Sequence, residues 1–302
     1  MHYKWQFDVV KYRKYAFSFS IAITILGILF LMIFGLNYGV DFKAGTSLDI
    51  TAAQSIDKAK AEQIFHDAGY EATVTLGGDN NTRATTRLDR VLNTDEINTI
   101  INQFKQAYGD NIVHEENTVD PGIARELGLK AIYAVALSSI GIIIYVSIRF
   151  EWRFAISAVI ALLHDAFIVI SLFSILRLEV NLTFIAAILT IIGYSLNDTI
   201  VTFDRIRENM RFSKTKTFED LSKLVNDSIW QTMTRSINTV FTVFIATILL
   251  LIMGSESIKL FSLAMTFGLI SGVYSSTFIA AQLWLLLKRN SLKRASAAPV
   301  KN

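Results

Sequence analysis

Long apolar runs alternate with polar stretches along the whole chain. A helix that crosses a bilayer needs about 20 mostly apolar residues. Six runs are long enough, at 17–36, 129–148, 154–176, 180–202, 236–253 and 260–287. The turns between helices three and four and between helices five and six are short, so each pair is predicted to be antiparallel. The pattern therefore predicts a membrane all-α bundle of six transmembrane helices.

Lysine and arginine are distributed unevenly between the two sets of connections. Eighteen of them lie in four segments, 1–16, 149–153, 203–235 and 288–302. The short opposite loops contain only Arg177 and Lys259. Because basic residues flanking membrane helices stay inside, we expect both termini and the loop 203–235 in the cytoplasm. The run 17–36 has no small-residue cleavage site, which predicts a retained anchor.

The largest polar segment, 37–128, is then predicted to lie outside the membrane, between helices one and two. Strand patterns at 47–51, 72–76, 85–91 and 112–118 alternate with two amphipathic helices. The first helix is predicted to be capped by Ser55, and the second begins at Asn93 with Glu96 in a capping-box spacing. The order strand, helix, strand, strand, helix, strand predicts an extracytoplasmic α+β domain of the ferredoxin-like type.

The composition narrows the classes of function. Hydrophobic residues make up 52% of the chain and the mean hydropathy is +0.42, which favours a membrane protein. A net charge of +3 and the absence of basic–aromatic runs argue against a nucleic-acid partner. There is no cysteine, and His66 and His114 have no second ligand at metal spacing. The sequence predicts no metal, no cofactor and no enzymatic activity.

Ionisable residues inside the predicted spans are the candidates for function. Each costs about 2.5–3.5 kcal/mol at a helix centre unless it faces protein or water. Asp165 lies near the middle of the third span, and Asp198 lies near the cytoplasmic end of the fourth. Three hydroxyl residues share the face of Asp198 at helical spacing: Ser195, Thr199 and Thr202. Arg235 opens the fifth span on the same side, which predicts an ion pair with Asp198.

Each of these residues also has a purely structural interpretation. Asp165 and Asp198 either take part in proton transfer or only fix helix packing by hydrogen bonds, and Arg235 either pairs with Asp198 or only flanks the membrane. His164 points about 100° away from its neighbour Asp165, which argues against a direct pair. Gly193 and Asn197, four residues apart, are predicted to mark close helix packing. The sequence before Asp198 lacks the Gly-x-Gly-Asp of intramembrane aspartyl proteases, which argues against that class.

The residues from Gly193 to Asn209 read GYSLNDTIVTFDRIREN. This stretch, which includes Asn197, Asp204 and Arg205, closely resembles the signature of the SecF family of protein-export membrane subunits. His164-Asp165 in the third span supports the resemblance. A segment after the first span is similar to the family's Gly-x-Asp-Phe-x-Gly-Gly motif, and its matching residues are Gly39, Asp41, Phe42 and Gly45. Ala44 replaces the first glycine of the closing pair, which removes the usual reason to expect a positive φ there.

The resemblance covers nearly the whole chain and implies a function in protein export. It implies a SecD partner within the resistance-nodulation-division superfamily, association with the SecYEG channel, and YajC in many bacteria. Such a complex would use the proton motive force to move exported, unfolded polypeptide chains across the bacterial cytoplasmic membrane after the ATP-driven SecA step. The resemblance places Asp198 and Arg235 in a proton pathway, with Asp165 as a further candidate.

Two other classes of function remain open on the sequence. One is a proton-driven small-molecule exporter of the same superfamily, of which six spans and one modest outer domain would form half. The other is a scaffold that stabilises the translocon without transporting anything. The scaffold hypothesis predicts that every membrane aspartate can be replaced without loss of export, whereas the transport hypotheses do not.

Overall fold

The computed structural model describes residues 7–213, 215 and 217–297. The predicted tails 1–16 and 288–302 therefore lie partly outside the described residues. The chain divides into two compact units. The α+β unit comprises Tyr38–Tyr133, and the helical unit comprises the described parts of Met1–Asn37 and Ala134–Asn302.

In chain order the elements are α1 (Arg13–Phe34), β1 (Asn37–Tyr38), α2 (Val40–Lys43), β2 (Gly45–Ala52), α3 (Lys58–Asp67), β3 (Val74–Gly77), β4 (Arg83–Leu88), α4 (Thr94–Tyr108), β5 (Ile112–Val119), α5 (Pro121–Arg149), α6 (Trp152–Ile175), β6 (Glu179–Val180), α7 (Leu182–Phe212), α8 (Phe218–Met253), α9 (Glu256–Ser275) and α10 (Ala281–Ala297). A short 3₁₀ turn covers Asp79–Asn81. A π turn at Ser276–Ala280 joins α9 to α10 without a break.

Six helical stretches within the described residues are long and apolar enough to cross a membrane. They are α1, α5, α6, α7, α8 and the continuous stretch Ile258–Arg289, which contains most of α9, the π turn and the start of α10. The prediction of a membrane helical protein with six apolar helices is therefore confirmed. Many side chains on α1, α5 and α8 are large, apolar and exposed, as expected of helices that face lipid.

Two of the helices extend well beyond the apolar runs that predicted them. Helix α7 continues to Phe212 and α8 already begins at Phe218, so most of the segment 203–235, predicted as a loop, is helical. Hydropathy detects only the part of a helix that lies in lipid, and the polar extensions escape it. A capping box between Thr217 and Asp220 starts α8 after the turn.

The last apolar stretch lies at the centre of the helical unit. Helix α9 packs against α6, α7 and α8, and α1 packs against α6. Two glycines on α9 permit the contact with α7. A Cβ at Gly268 would lie 2.4 Å from the side chain of Ile191, and one at Gly272 would lie 3.4 Å from Cβ of Ser195. The spacing Gly-x-x-x-Gly is a common means of close approach between membrane helices.

The α+β unit contains one antiparallel sheet with strand order β3-β4-β2-β5. Leu48 on the central strand β2 pairs with Thr86 on β4 and with Glu116 on β5. Helices α3 and α4 contribute Phe65 and Phe104 to the core, where the rings meet edge to face with centroids 5.6 Å apart. Strands and helices therefore follow one another in the predicted order from Gly45 to Val119.

The helix caps of this unit agree with the sequence prediction in one case and differ in the other. The capping box of Asn93 and Glu96 at the start of α4 is confirmed. The prediction of Ser55 as the cap of α3 is wrong, because Asp57 accepts the backbone N–H of Lys60 instead. The N–H of Ile56 bonds to the carbonyl oxygen of Asn81, which holds the chain extended up to Asp57 and delays the helix start.

Candidate functional site

Asp165, in the middle of α6, is completely buried and surrounded by hydroxyl groups. Ser195 on α7 donates to its Oδ2 at 2.6 Å. Ser271 on α9 donates to its Oδ1 at 2.6 Å, and Ser275, one turn later on α9, donates to Oδ2 at 2.5 Å. Hydrogen bonds to the ionised form favour it over the neutral form, whereas burial acts in the opposite direction. The three serines thus offset the cost of a buried carboxylate.

His164 also contacts this carboxylate, which the sequence analysis argued against. Its Nδ1 lies 3.3 Å from Oδ1 of Asp165. The prediction was wrong because it considered only the 100° between adjacent Cβ directions, whereas the imidazole is long enough to turn back across that angle. Nε2 of His164 is buried without a hydrogen-bond partner within the described structure. The ring lines an apolar cavity of about 250 Å³ between α1, α6 and α9.

Asp198 on α7 is half-buried and is also bound by hydroxyl groups. Ser236 on α8 donates to its Oδ1, and Ser276, the first residue of the π turn, donates to its Oδ2. The carboxylate lines a cavity of about 20 Å³, roughly the space of one water molecule. Arg235 lines the same cavity, but among the described residues it forms no ion pair with Asp198. The predicted ion pair with Arg235 is wrong for this structure, in which serine hydroxyls from α8 and the π turn bind the two oxygens of Asp198.

The other residues of the predicted polar stripe are divided between two environments. Ser195, Thr199 and Thr202 are buried in the bundle, and Oγ1 of Thr199 has no hydrogen-bond partner within the described structure. Asn197 is exposed. Position 193 has no atom within 4 Å of where a Cβ would lie, so the prediction that Gly193 and Asn197 mark close packing within this chain is wrong.

The charged residues of the signature lie beyond these hydroxyl groups on α7. Asp204 forms ion pairs with Arg149 at 3.3 Å and with Arg207 at 2.5 Å. Arg205 bonds to Gln231 on α8 and pairs with Glu208 at 2.7 Å. These half-exposed pairs join α7 to α5 and α8. They contact neither Asp165 nor Asp198.

The glycine motif after the first apolar helix belongs to the α+β unit. Gly39 is the N-cap residue of α2, and Asp41 accepts a hydrogen bond from Nδ2 of Asn117 at 3.1 Å. The ring of Phe42 meets Tyr38 edge to face. Gly45 has φ +120°, and a Cβ there would lie 2.2 Å from the carbonyl oxygen of Leu88. These contacts give the motif a structural function at the start of β2.

Four of the five serines that bind the two carboxylates were not predicted from the sequence. They are Ser236 on α8, and Ser271, Ser275 and Ser276 on the last apolar stretch. Four-residue spacing places Ser271 and Ser275 on one helical face, and the Gly-x-x-x-Gly at Gly268 and Gly272 indicates that this part of the helix is buried. Both signals were present in the sequence, but neither identifies the helix that the serines would face.

The hydroxyl groups around the two aspartates can act as hydrogen-bond donors or acceptors. A serine hydroxyl donates to an ionised carboxylate and accepts from a protonated one, so either state of an aspartate can be satisfied in place. The half-buried Asp198 borders a cavity, whereas Asp165 is sealed. Within the described residues no three His, Asp or Glu side chains come together as a metal site. The geometry is that of a pair of titratable groups in a membrane bundle.

Comparisons with known proteins identify the family. Residues 99–290 match the C-terminal domain of the protein export membrane proteins SecD/SecF, and residues 29–56 match the SecD/SecF GG motif. The chain is 42% identical to the protein translocase subunit SecF of Alicyclobacillus acidocaldarius over 98% of both chains. It is 50% identical to the protein translocase subunit SecDF of Bacillus subtilis, covering 97% of this chain but only 40% of that protein.

A solved structure gives the same result. The crystal structure of SecDF, a translocon-associated membrane protein from Thermus thermophilus, matches with a TM-score of 0.84 and 30% sequence identity. The match covers 94% of this chain and 39% of that one. The resemblance found in the signature residues is thus confirmed over most of the sequence and over the fold. The chain belongs to the SecD/SecF family of protein export membrane proteins.

Proposed function

We propose that this chain is a subunit of the Sec protein translocase that, together with SecD, uses the proton motive force to promote the late, ATP-independent stage of protein export across the bacterial cytoplasmic membrane. The observation that carries the proposal is the pair of carboxylates, Asp165 and Asp198, held by serine hydroxyls inside the membrane bundle of a SecD/SecF family member. Such groups are costly in a membrane and mark proton pathways in pumps and transporters.

The energy source follows from what the sequence offers. It contains no nucleotide-binding loop that would let this chain use ATP directly. One elementary charge moving through 100 mV supplies about 2.3 kcal/mol. A proton that enters Asp198 from one side and leaves towards the other would use this energy to bias a two-state helix bundle.

Asp198 and Arg235 act together in this scheme. They line one small cavity, and Arg235 directly precedes Ser236, which binds Asp198. When Asp198 is ionised, its charge attracts Arg235, the cation on α8 that lines the same cavity. Protonation of Asp198 removes that attraction and frees α8 to move relative to α7. Asp165 is the second carboxylate of the pathway, more deeply buried than Asp198.

The exposed polar residues of α7 and α8 support the proposal of a SecD partner. Asn197 and Arg235 are exposed beside Asp198, and Asn238 is exposed one turn after Arg235, on helices long and apolar enough to cross a membrane. Polar side chains at this depth are rarely left facing lipid. The SecDF relatives are more than twice as long as this chain, so in them further polypeptide is available to cover such a face. We assign SecD that position here, with SecYEG and YajC as further members of the assembly.

The α+β unit is proposed to lie outside the membrane and to contact the exported polypeptide. The basic residues at the opposite helix ends support this orientation. Its strand order β3-β4-β2-β5 and its strand–helix–strand–strand–helix–strand sequence support a ferredoxin-like domain. Because α1 and α5 lead directly into this unit, a rearrangement of the bundle would be passed on to it and to an unfolded chain that it holds.

Replacement of Asp198 tests the proposal. Asp198→Asn keeps the shape of the side chain but cannot ionise. In vesicles that contain SecYEG and SecD, we expect export driven by a proton gradient after ATP removal to fall at least about tenfold, as when a group essential to a step is lost. Asp227→Asn, on the polar part of α8, is the matched control and should export normally.

Three outcomes would contradict the proposal. Wild-type export by Asp198→Asn would remove this residue from the mechanism. If Asp165→Asn also exported normally with assembly intact, the chain would be a scaffold. Export that stays normal while proton-coupled efflux of a small molecule is lost would instead favour the exporter hypothesis.

A further inference from the structure

The last apolar stretch contacts both carboxylates through consecutive residues. Ser275, the last residue of α9, donates to Asp165, and Ser276, the next residue, donates to Asp198. Both serines are almost completely buried. The two aspartates belong to different helices, α6 and α7, and this stretch binds both of them through neighbouring residues.

Each serine has a second acceptor in its own helix. Oγ of Ser275 lies 3.2 Å from the carbonyl oxygen of Gly272, and Oγ of Ser276 lies 3.2 Å from that of Val273. A hydroxyl has one hydrogen, so it donates either to the carboxylate or to the carbonyl. An ionised aspartate attracts that hydrogen strongly, whereas a protonated aspartate donates its own proton to the serine oxygen. The serine hydrogen then turns to the backbone carbonyl.

The two carbonyl acceptors lie in one turn, directly before the π turn at Ser276–Ala280. Single π turns within α-helices often occur at functional positions. A change in the hydroxyl bonded to Gly272 or Val273 therefore acts on the same short piece of backbone.

We propose that Ser275 and Ser276 are positioning residues that couple the protonation of Asp165 to that of Asp198 through this turn. The inference rests on the proposed function for its biological meaning, but the coupling is a property of the bundle itself. Protonation of either carboxylate changes the proton affinity of the other, so the two titrate as a linked pair.

Other titratable groups face the pair and belong to the same system. His164 contacts Asp165, and its ring lies near Tyr274, with centroids 6.1 Å apart. Tyr194 and Arg235 line the cavity of Asp198. Within the described residues, the hydroxyl groups of Ser275 and Ser276 form no hydrogen bond with any of these four side chains. Replacing a serine therefore tests the link between the carboxylates while leaving the other titratable groups in place.

The test is an infrared titration of the full chain in lipid vesicles. Carboxyl bands are assigned with Asp165→Asn and Asp198→Asn. In the otherwise wild-type chain, we expect Asp198→Asn to move the titration midpoint of the Asp165 band by about one pH unit, a tenfold change in proton affinity. When Ser275→Ala or Ser276→Ala is present, that movement should disappear, as a double-mutant cycle requires for a broken link.

The chain offers a matched control and a rescue. Ser262 is a buried serine on the same helix whose hydroxyl donates only to the carbonyl oxygen of Ile258. Ser262→Ala should leave the coupling unchanged, and Ser276→Thr, which retains a hydroxyl, should restore it. Either alanine variant alone is sufficient for the test, so the failure of one to fold leaves the other decisive.

Two results would overturn the inference: coupling that persists in an alanine variant, and titrations of Asp165 and Asp198 that are independent in the wild-type background. The measurement involves no exported protein. A negative result would therefore overturn the coupling without affecting the proposed function. The proposed function is instead contradicted if Asp198→Asn exports at the wild-type rate.

Discussion

Ala44 and Gly45 show how much one methyl group matters at the start of β2. Ala44 has φ 67° and ψ 166°, a region that glycine occupies freely and other residues avoid. The family motif has glycine at this position, and the alanine of this chain nevertheless adopts the left-handed backbone. Its neighbour Gly45 has φ +120° and is pressed against Leu88. Replacing Ala44 by glycine and replacing Gly45 by alanine should therefore have opposite effects on the stability of the α+β unit.

Ala44→Gly should stabilise the α+β unit by about 1 kcal/mol, because strain of about 1–3 kcal/mol is relieved and only one methyl group is lost from the core. Hydrogen exchange of the β2 amides in the full chain would measure the effect as roughly fivefold slower exchange. Gly45→Ala is the counterpart and should accelerate exchange strongly, since its Cβ would overlap the Leu88 carbonyl. Faster exchange in Ala44→Gly would show that the methyl packing outweighs the strain.

At the scale of elements, the contact between α7 and α9 positions the carboxylates. Gly268 and Gly272 let α9 approach α7 closely, and this approach brings Ser271 and Ser275 within reach of Asp165. A side chain at Gly268 would have to displace Ile191. Packed membrane helices gain their stability from such close contacts rather than from a hydrophobic effect.

Gly268→Ala is expected to lower the free energy of unfolding of the helical unit by about 1–3 kcal/mol, the usual cost of overpacking. Thermal unfolding in lipid vesicles would measure it. Adding Ile191→Ala should recover part of the loss, because it removes the atoms that the new methyl group meets. Gly141→Ala on α5, where a Cβ meets no atom within 4 Å, is the control and should be neutral. A neutral Gly268→Ala would show that α9 can move away from α7 at no cost.

The start of α4 makes a prediction about pH. The hydrogen bond from the Asn93 backbone N–H, followed by that of the Tyr70 side chain, lowers the pKa of Glu96 below its ordinary 4.5. A lowered pKa means that the ionised form stabilises the folded state. The contribution is fully present above pH 4.5 and is lost as the pH falls through the pKa of the folded state.

We therefore expect α4 amides, after correction for intrinsic rates, to lose protection as the pH drops below 4.5. Glu96→Gln should remove this pH dependence, because glutamine can occupy the capping box but does not titrate. Glu71→Gln, at an exposed position outside α4, should retain it. Identical pH profiles for wild type and Glu96→Gln would argue against the capping explanation.

At the scale of the whole molecule, orientation in the membrane decides which way a proton must travel. The distribution of lysine and arginine predicts that the α+β unit is outside and that the polar ends of α7 and α8 are in the cytoplasm. The chain has no cysteine, so one introduced cysteine is the sole thiol available to a reagent. Labelling one introduced cysteine at a time therefore shows on which side of the membrane that residue lies.

Gln106→Cys, on the exposed side of α4, should react with a membrane-impermeant maleimide in intact spheroplasts. Ser213→Cys, at the exposed end of α7, should react only after permeabilisation. The physical reason is that the reagent cannot cross the hydrocarbon core. The reverse pattern would invert the proposed topology and with it the direction of proton flow.

Local sequence was sufficient for much of the architecture. Six apolar helices follow from runs of residues that no aqueous loop would tolerate, and the Asn93–Glu96 capping box follows from a spacing of three residues. The signature around Asp198 identified the family. Each of these features depends on residues that are neighbours along the chain, so their physics is local.

Tertiary structure decided what surrounds the charges. Sequence patterns singled out Asp165 and Asp198 but predicted Arg235 as the partner, whereas serines from α7, α8 and the last apolar stretch bind the two carboxylates. Which face of one helix meets which face of another depends on the packing of all of them at once. Residues that are neighbours along the chain determine where each helix forms. Only the packing of all the helices determines which hydroxyl group contacts which carboxylate.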